Sequence, residues 1–125
     1  AERLATTAIR VCDGPVRLDR LLANCDLGIS HASNGVAAAF VLAGIPQLGL
    51  PLHAEQIMVA HAIASQKHGL GLVGQFGPDE VQNTMNTALG SVSMRQSVQE
   101  TAARLQKTLP ADPGKVLADA VLTLA

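Results

Sequence analysis

At 125 residues the chain holds one domain or part of one, enough to bury roughly two-thirds of the surface its unfolded form would expose. Its 48% hydrophobic content argues against a disordered segment. With 9 basic and 10 acidic residues it has no basic stripe, and its 2% aromatic content provides no base-stacking platform, so nucleic acid is not an expected partner.

No apolar run reaches the roughly 18 to 20 residues of a membrane span. The opening Ala1-Glu2-Arg3-Leu4 lacks a secretory core and is not led by methionine, as a processed terminus, a trimmed tag or an excised fragment would all explain. Cys12 and Cys25 form no CxxC pair and no ligand cluster with histidine. They are expected to be reduced, buried thiols of a cytoplasmic protein with no metal site, a disulfide or a reactive thiol being the alternative.

Short apolar runs alternate with helix-length amphipathic segments, and Gly or Pro marks the joints. That alternation predicts an α/β fold with a parallel sheet. Residues 8–12 read as a first strand, stopped by Asp13-Gly14-Pro15. Leu18, Leu21 and Leu22 share one face of a short helix. Residues 27–30 give a second strand, followed by the small-residue turn His31-Ala32-Ser33-Asn34-Gly35 and a helix over 36–43. Gly44 is placed to end that helix in a left-handed cap, and Pro46 prevents its continuation. A third strand over 47–50 closes at Pro51. A helix over 54–67, ended by Gly69, leads to a fourth strand over 70–73. Pro78 then suits a first helical turn, with Asp79 and Glu80 favourably placed behind it. The remainder reads as helices over about 79–89, 92–108 and 113–124.

In an open parallel sheet, ligands bind beyond the carboxyl ends of the strands, and two turns meet that condition. In the turn from Ser30 to Val36 a strand runs through small residues directly into a helix. The unpaired first N–H groups of that helix favour an anion. His31 at its mouth either donates to a phosphate oxygen or serves only to cap and pack. In Pro51-Leu52-His53-Ala54-Glu55-Gln56, a carboxylate and a carboxamide fall in a first helical turn. Such a pair suits sugar hydroxyls, which both donate and accept, although Glu in a first turn also stabilises a helix with no other function. His53, His61 and His68 read as surface or core residues. No Ser-His-Asp set or carboxylate pair emerges.

The order of these pieces resembles a known pattern. Cys25-Asp26-Leu27-Gly28-Ile29-Ser30-His31-Ala32-Ser33-Asn34-Gly35, then Ala43-Gly44-Ile45-Pro46, Leu50-Pro51 and Glu55-Gln56 are similar to the donor-binding signature of GT-B-type glycosyltransferases acting on natural products and lipids. That signature runs roughly H-G-G-x-G-T, seven residues, G-x-P, a strand ending in Pro, then D-Q. The resemblance covers nearly the whole chain.

It implies a partial Rossmann-like sheet of about four parallel strands with flanking helices and a helical carboxyl terminus. It also implies that residues 1–125 are the carboxyl-terminal part of a nucleotide-sugar donor-binding domain, with the first strands and the amino-terminal acceptor domain absent. His31, Ser33, Asn34, Gly35 and Val36 match the residues that hold the donor diphosphate. Glu55 and Gln56 match the pair that holds the transferred sugar, and Pro15, Val16 and Arg17 match the loop bordering the nucleobase. The family's catalytic base usually lies in the absent domain, so no catalytic residue is assigned. The implied substrate is a nucleotide-diphosphate sugar, with no separate cofactor.

Departures from the pattern are concentrated at the turn. Ala32 and Ser33 replace two glycines, Val36 replaces a hydroxyl residue, Ala39 stands where many members have Glu, and Glu55 replaces Asp. Val36 and Ala39 leave open a second reading, a binding or interaction module that keeps the fold without catalysis. A third is a purely structural α/β piece. In the family's strand order, the present first strand would stand apart from the other three. It is therefore expected to be displaced, re-paired or matched by another chain, and the open edge makes a homo-oligomer a further expectation.

Overall fold

The computed structural model of the chain describes residues 9–123. Three strands, β1 (Gly28–Ser30), β2 (Gln47–Gly49) and β3 (Gly69–Gly71), form a parallel sheet in the order β1-β2-β3. The register pairs Ile29 with Leu48 and Leu48 with Leu70. Helices α1 (Leu18–Leu22), α2 (Asn34–Leu42) and α3 (Ala54–Ser65) precede or connect these strands. After them come α4 (Pro78–Gly90), α5 (Val92–Thr108) and α6 (Pro113–Thr123). No described helix is long and apolar enough to cross a membrane.

The expected first strand is absent among the described residues, so the sheet has three strands rather than four. Residues 9–12 adopt no regular structure and lie outside the sheet, while residue 8 falls outside the described range. The described part of that segment is not re-paired with the sheet. Among the described residues the β1 side of the sheet is an edge. Gly28 N–H donates to the Pro46 carbonyl (2.9 Å) and Leu50 N–H to the Ser30 carbonyl (2.8 Å), so residues 28 and 30 face β2. Parallel pairing turns the backbone groups of the intervening Ile29 toward the open side, where its side chain is 46% exposed.

Very small residues set the close spacing of the layers. A Cβ on Gly28 would overlap the Phe40 ring of α2, and one on Gly69 would overlap the Gln47 carbonyl of β2. Between the sheet and its helices, Ala32, Ala37, Ala60 and Ile63 form a buried cluster with Val59 packed against it. Gln47 is buried in the central strand, where its Nε2 donates to the Ala37 carbonyl of α2 (3.2 Å) and so satisfies an otherwise costly polar group.

Helix α5 seals the end of the sheet where the strands begin. Ser97 Oγ donates to the Gln66 carbonyl (2.9 Å), Thr101 Oγ1 lies 3.0 Å from His68 Nε2, and Gln106 Nε2 donates to the Leu42 carbonyl (3.3 Å). These partners all stand at or just after the carboxyl ends of α2 and α3. Gly44 caps α2 with φ +71°, as its position predicts, and lies against Gln99 and Ala102. The cap of α3 differs from expectation: Lys67 takes the left-handed conformation (φ 56°), and Gly69 begins β3 instead. Helix α6 buries none of its residues, and Leu117 and Leu122 stand exposed on it.

Candidate functional site

The turn after β1 and the turn after β2 open side by side at the carboxyl ends of paired parallel strands. Each runs into a helix whose amino terminus has no side-chain cap. In α2 the first return bond is from Ala37 N–H to the Ser33 carbonyl (2.9 Å), so the N–H groups of Asn34, Gly35 and Val36 have no acceptor among the described residues. Open N–H donors at the positive end of a helix dipole are groups that favour an anion. Gly35 leaves them accessible, because nothing lies within 4 Å of where its Cβ would be.

Ala32 gives the turn its shape. It has φ 60°, unusual for a residue with a Cβ, is fully buried, and its N–H donates to Ser30 Oγ (3.1 Å). His31, just before it, is exposed and makes no hydrogen bond among the described residues, so it caps nothing there. Ser33 sits at the α2 N-cap position but its hydroxyl caps nothing, and Val36 is half-buried behind it.

The second turn is tied to the first. Asn34 Nδ2 donates to Glu55 Oε1 at 3.0 Å, a side-chain link between helix starts 21 residues apart in sequence. Glu55 thus engages the neighbouring turn rather than an N–H of its own helix. Gln56 behaves differently: its Oε1 accepts from Leu52 N–H (2.8 Å), bracing the entry to α3 and leaving its Nε2 hydrogens as the remaining donors. Sequence reasoning brought Glu55 and Gln56 together but missed both bonds, which depend on which turns become neighbours in the sheet.

Pro15, Val16 and Arg17 lie elsewhere. With Arg10, Cys12 and Arg20 they line a hollow of about 490 Å³ that includes none of His31, Asn34 or Glu55. Arg17 is paired with Asp19 (2.7 Å), which holds the Asp19 carboxyl below its usual pKa range. A larger depression of about 540 Å³ lies between α1, α5 and the end of α2, bounded by Ile45 and Pro46 before β2. It is therefore at the opposite end of the strands from His31, and size alone does not mark the site here. Among the described residues no cluster of His, Cys, Asp or Glu could hold a metal ion. Both cysteines are free thiols, but neither is buried as expected: Cys12 is exposed and Cys25 half-buried.

His68 is the one histidine drawn into the interior, 8% exposed and 3.0 Å from Thr101 Oγ1. Burial, with the charge of Arg104 adding to it, lowers its pKa from the ordinary 6.5. It stands just before β3, away from the candidate turns, and belongs to the packing of α5.

No protein-family profile matches the chain, and no curated protein does. Solved structures do. The spinosyn forosaminyltransferase SpnP superposes with a TM-score of 0.80 over 94% of this chain at 25% identity. The spinosyn rhamnosyltransferase SpnG, solved with thymidine diphosphate, gives 0.69 over 74% at 24% identity. The glycosyltransferase SnogD from Streptomyces nogalater gives 0.69 over 96% at 20% identity. The chain spans only 26% to 32% of the length of these proteins. Helices and strands in the same order and arrangement over nearly all of this chain identify its architecture: it has the fold of the GT-B-type glycosyltransferases.

Proposed function

We propose that this chain is the donor-binding portion of a glycosyltransferase that moves a sugar from a nucleotide diphosphate to a small-molecule or lipid acceptor. The observation that carries the reading is the pairing of two uncapped helix starts at the carboxyl ends of β1 and β2, with His31, Asn34 and Glu55 exposed between them.

In this reading the donor diphosphate lies over the N–H groups of Asn34, Gly35 and Val36, with Ser33 beside it and His31 donating to a phosphate oxygen. Glycosyl transfer breaks the bond between sugar and diphosphate, and negative charge grows on the departing oxygen. Donors fixed before the reaction stabilise that charge without reorganising during it. Glu55 and Gln56 hold the sugar through its hydroxyls. Pro15, Val16 and Arg17, which line a hollow of their own, border the nucleobase in this reading. The chain supplies binding and orientation, while the acceptor and a catalytic base come from a domain outside it. Solution in the cytoplasm, where nucleotide sugars are supplied, fits this role.

The test is an NMR titration of the chain with uridine and thymidine diphosphates, repeated on His31→Ala. Saturable shifts confined to residues 31–36 and weakened by the substitution support the reading. Absence of shifts at millimolar nucleotide removes it for this chain. The second reading, a binding module without catalysis, is favoured by Val36, which lacks the hydroxyl that a phosphate would use, and by Ala39 on α2. Under that reading catalysis is lost while the fold is kept.

A further inference from the structure

We infer that Asn34 is a positioning residue for the donor sugar, acting through Glu55; this rests on the transferase reading above. Asn34 is the first residue of α2 and Glu55 the second of α3, and the Nδ2–Oε1 bond of 3.0 Å is the only hydrogen bond between the side chains of these two turns among the described residues. An exposed Glu otherwise samples many rotamers, and a ligand must freeze one of them on binding. The Asn34 amide selects that rotamer beforehand, so less ordering is left for the ligand to impose.

The bond also decides which atoms remain for the sugar. An ionised carboxylate only accepts, through two oxygens with about four lone-pair sites. Asn34 occupies one site on Oε1, leaving Oε2 whole for a sugar hydroxyl that donates. Beside it, Gln56 has one lone pair of Oε1 engaged by Leu52 N–H, a bond that orients its amide and leaves Nε2 to donate toward a ligand. The subsite thus presents one fixed acceptor and one fixed donor. Asn34 is in addition part of the backbone seat for the diphosphate, so sugar and diphosphate recognition meet at one residue. Its side chain serves the former and its N–H the latter, which makes the two separable by substitution.

The experiment compares calorimetric affinities of wild type, Asn34→Ala, Glu55→Ala and the double variant for two ligand pairs: uridine diphosphate with its glucose ester, and thymidine diphosphate with its glucose ester. Folding of each variant is checked by amide NMR spectra. Asn34→Ala is expected to weaken the sugar ester about three- to tenfold more than it weakens the diphosphate. Glu55→Ala is expected to do the same, and the double variant to be no weaker than Glu55→Ala alone, since Asn34 acts only through that carboxylate. Equal weakening of diphosphate and sugar ester by Asn34→Ala would overturn the inference, because the loss would then lie in the phosphate seat. So would additive losses in the double variant, or no loss at all. Wild type that binds neither ligand overturns the transferase reading itself, whereas wild type that binds both with Asn34→Ala indistinguishable overturns only the positioning role.

Discussion

Replacing Ala32 by Gly tests whether the turn after β1 stores backbone strain. Ala32 has φ 60° and its methyl group is fully buried. An L-residue in the left-handed region costs roughly 1–2 kcal/mol, which glycine would relieve. Against that stand the loss of one buried methyl, about 0.8 kcal/mol, and the greater freedom of glycine in the unfolded chain, about 0.4–1 kcal/mol. The terms nearly cancel, so Ala32→Gly should change stability by less than about 1 kcal/mol in either direction.

Ala60→Gly is the control: an equally buried alanine, 2% exposed, in the middle of α3. It loses the same methyl and about 1 kcal/mol of helix propensity with no strain to relieve, for a cost of about 2 kcal/mol. Urea unfolding monitored by circular dichroism separates the two, since a small domain has a slope of roughly 1 kcal/mol per molar. The Ala60→Gly midpoint should fall by up to about 2 M and that of Ala32→Gly by less than half as much. Equal losses in the two variants would refute the claim of strain.

Gly69→Ala should destabilise by upwards of about 3 kcal/mol, because its Cβ would meet the Gln47 carbonyl within a sheet that cannot open there; Gly90→Ala, with open space around it at the end of α4, should be neutral or slightly stabilising in the same urea assay. The stability contribution of His68 should be complete above its ordinary pKa of 6.5 and be lost as pH falls below it. Its folded-state pKa is lowered by burial and Arg104, so the unfolded chain takes the proton more readily. Melting temperatures from pH 7.5 down to 5.5 should therefore fall more steeply for wild type than for His68→Gln, and parallel curves would remove this account. Under the transferase reading, Val36→Thr adds a hydroxyl at the third residue of α2 and should tighten uridine or thymidine diphosphate binding about three- to tenfold by calorimetry, in line with a net hydrogen bond of about 0.5–1.5 kcal/mol.

Local chemistry made most of this fold legible. Gly and Pro at the joints, a Pro-led α4 and the cap at Gly44 are decided within a few residues, and the structure follows them. The failures come where neighbours decide. Residues 9–12 have strand-like composition, but a strand needs a ladder beside it, and composition cannot say whether one is present. Gly69 reads in the sequence as the residue that ends α3. In the structure it is required by the approach of the Gln47 carbonyl, while Lys67 carries the left-handed turn. The placement of His31 and Glu55 at strand ends could be read from the chain. The Asn34–Glu55 bond could not, since it exists only because β1 and β2 pair in parallel and set their following turns side by side.

That pairing also separates what stabilises the molecule from what it offers to a ligand. At the end where the strands begin, polar groups are closed off by α5: Gln66, His68 and Leu42 all have partners there, and Val98 is fully buried beside them. At the end where the strands finish, the first turns of α2 and α3 have no side-chain caps, although Ser33 stands at a position where its hydroxyl could provide one. Capping is worth about 1 kcal/mol per helix, so two open starts forgo stability that nearby side chains could have provided. The Asn34–Glu55 and Gln56–Leu52 bonds brace these turns without occupying the N–H groups of Asn34, Gly35 and Val36. A structural connection would gain by closing those groups, whereas a seat for an anion requires them open.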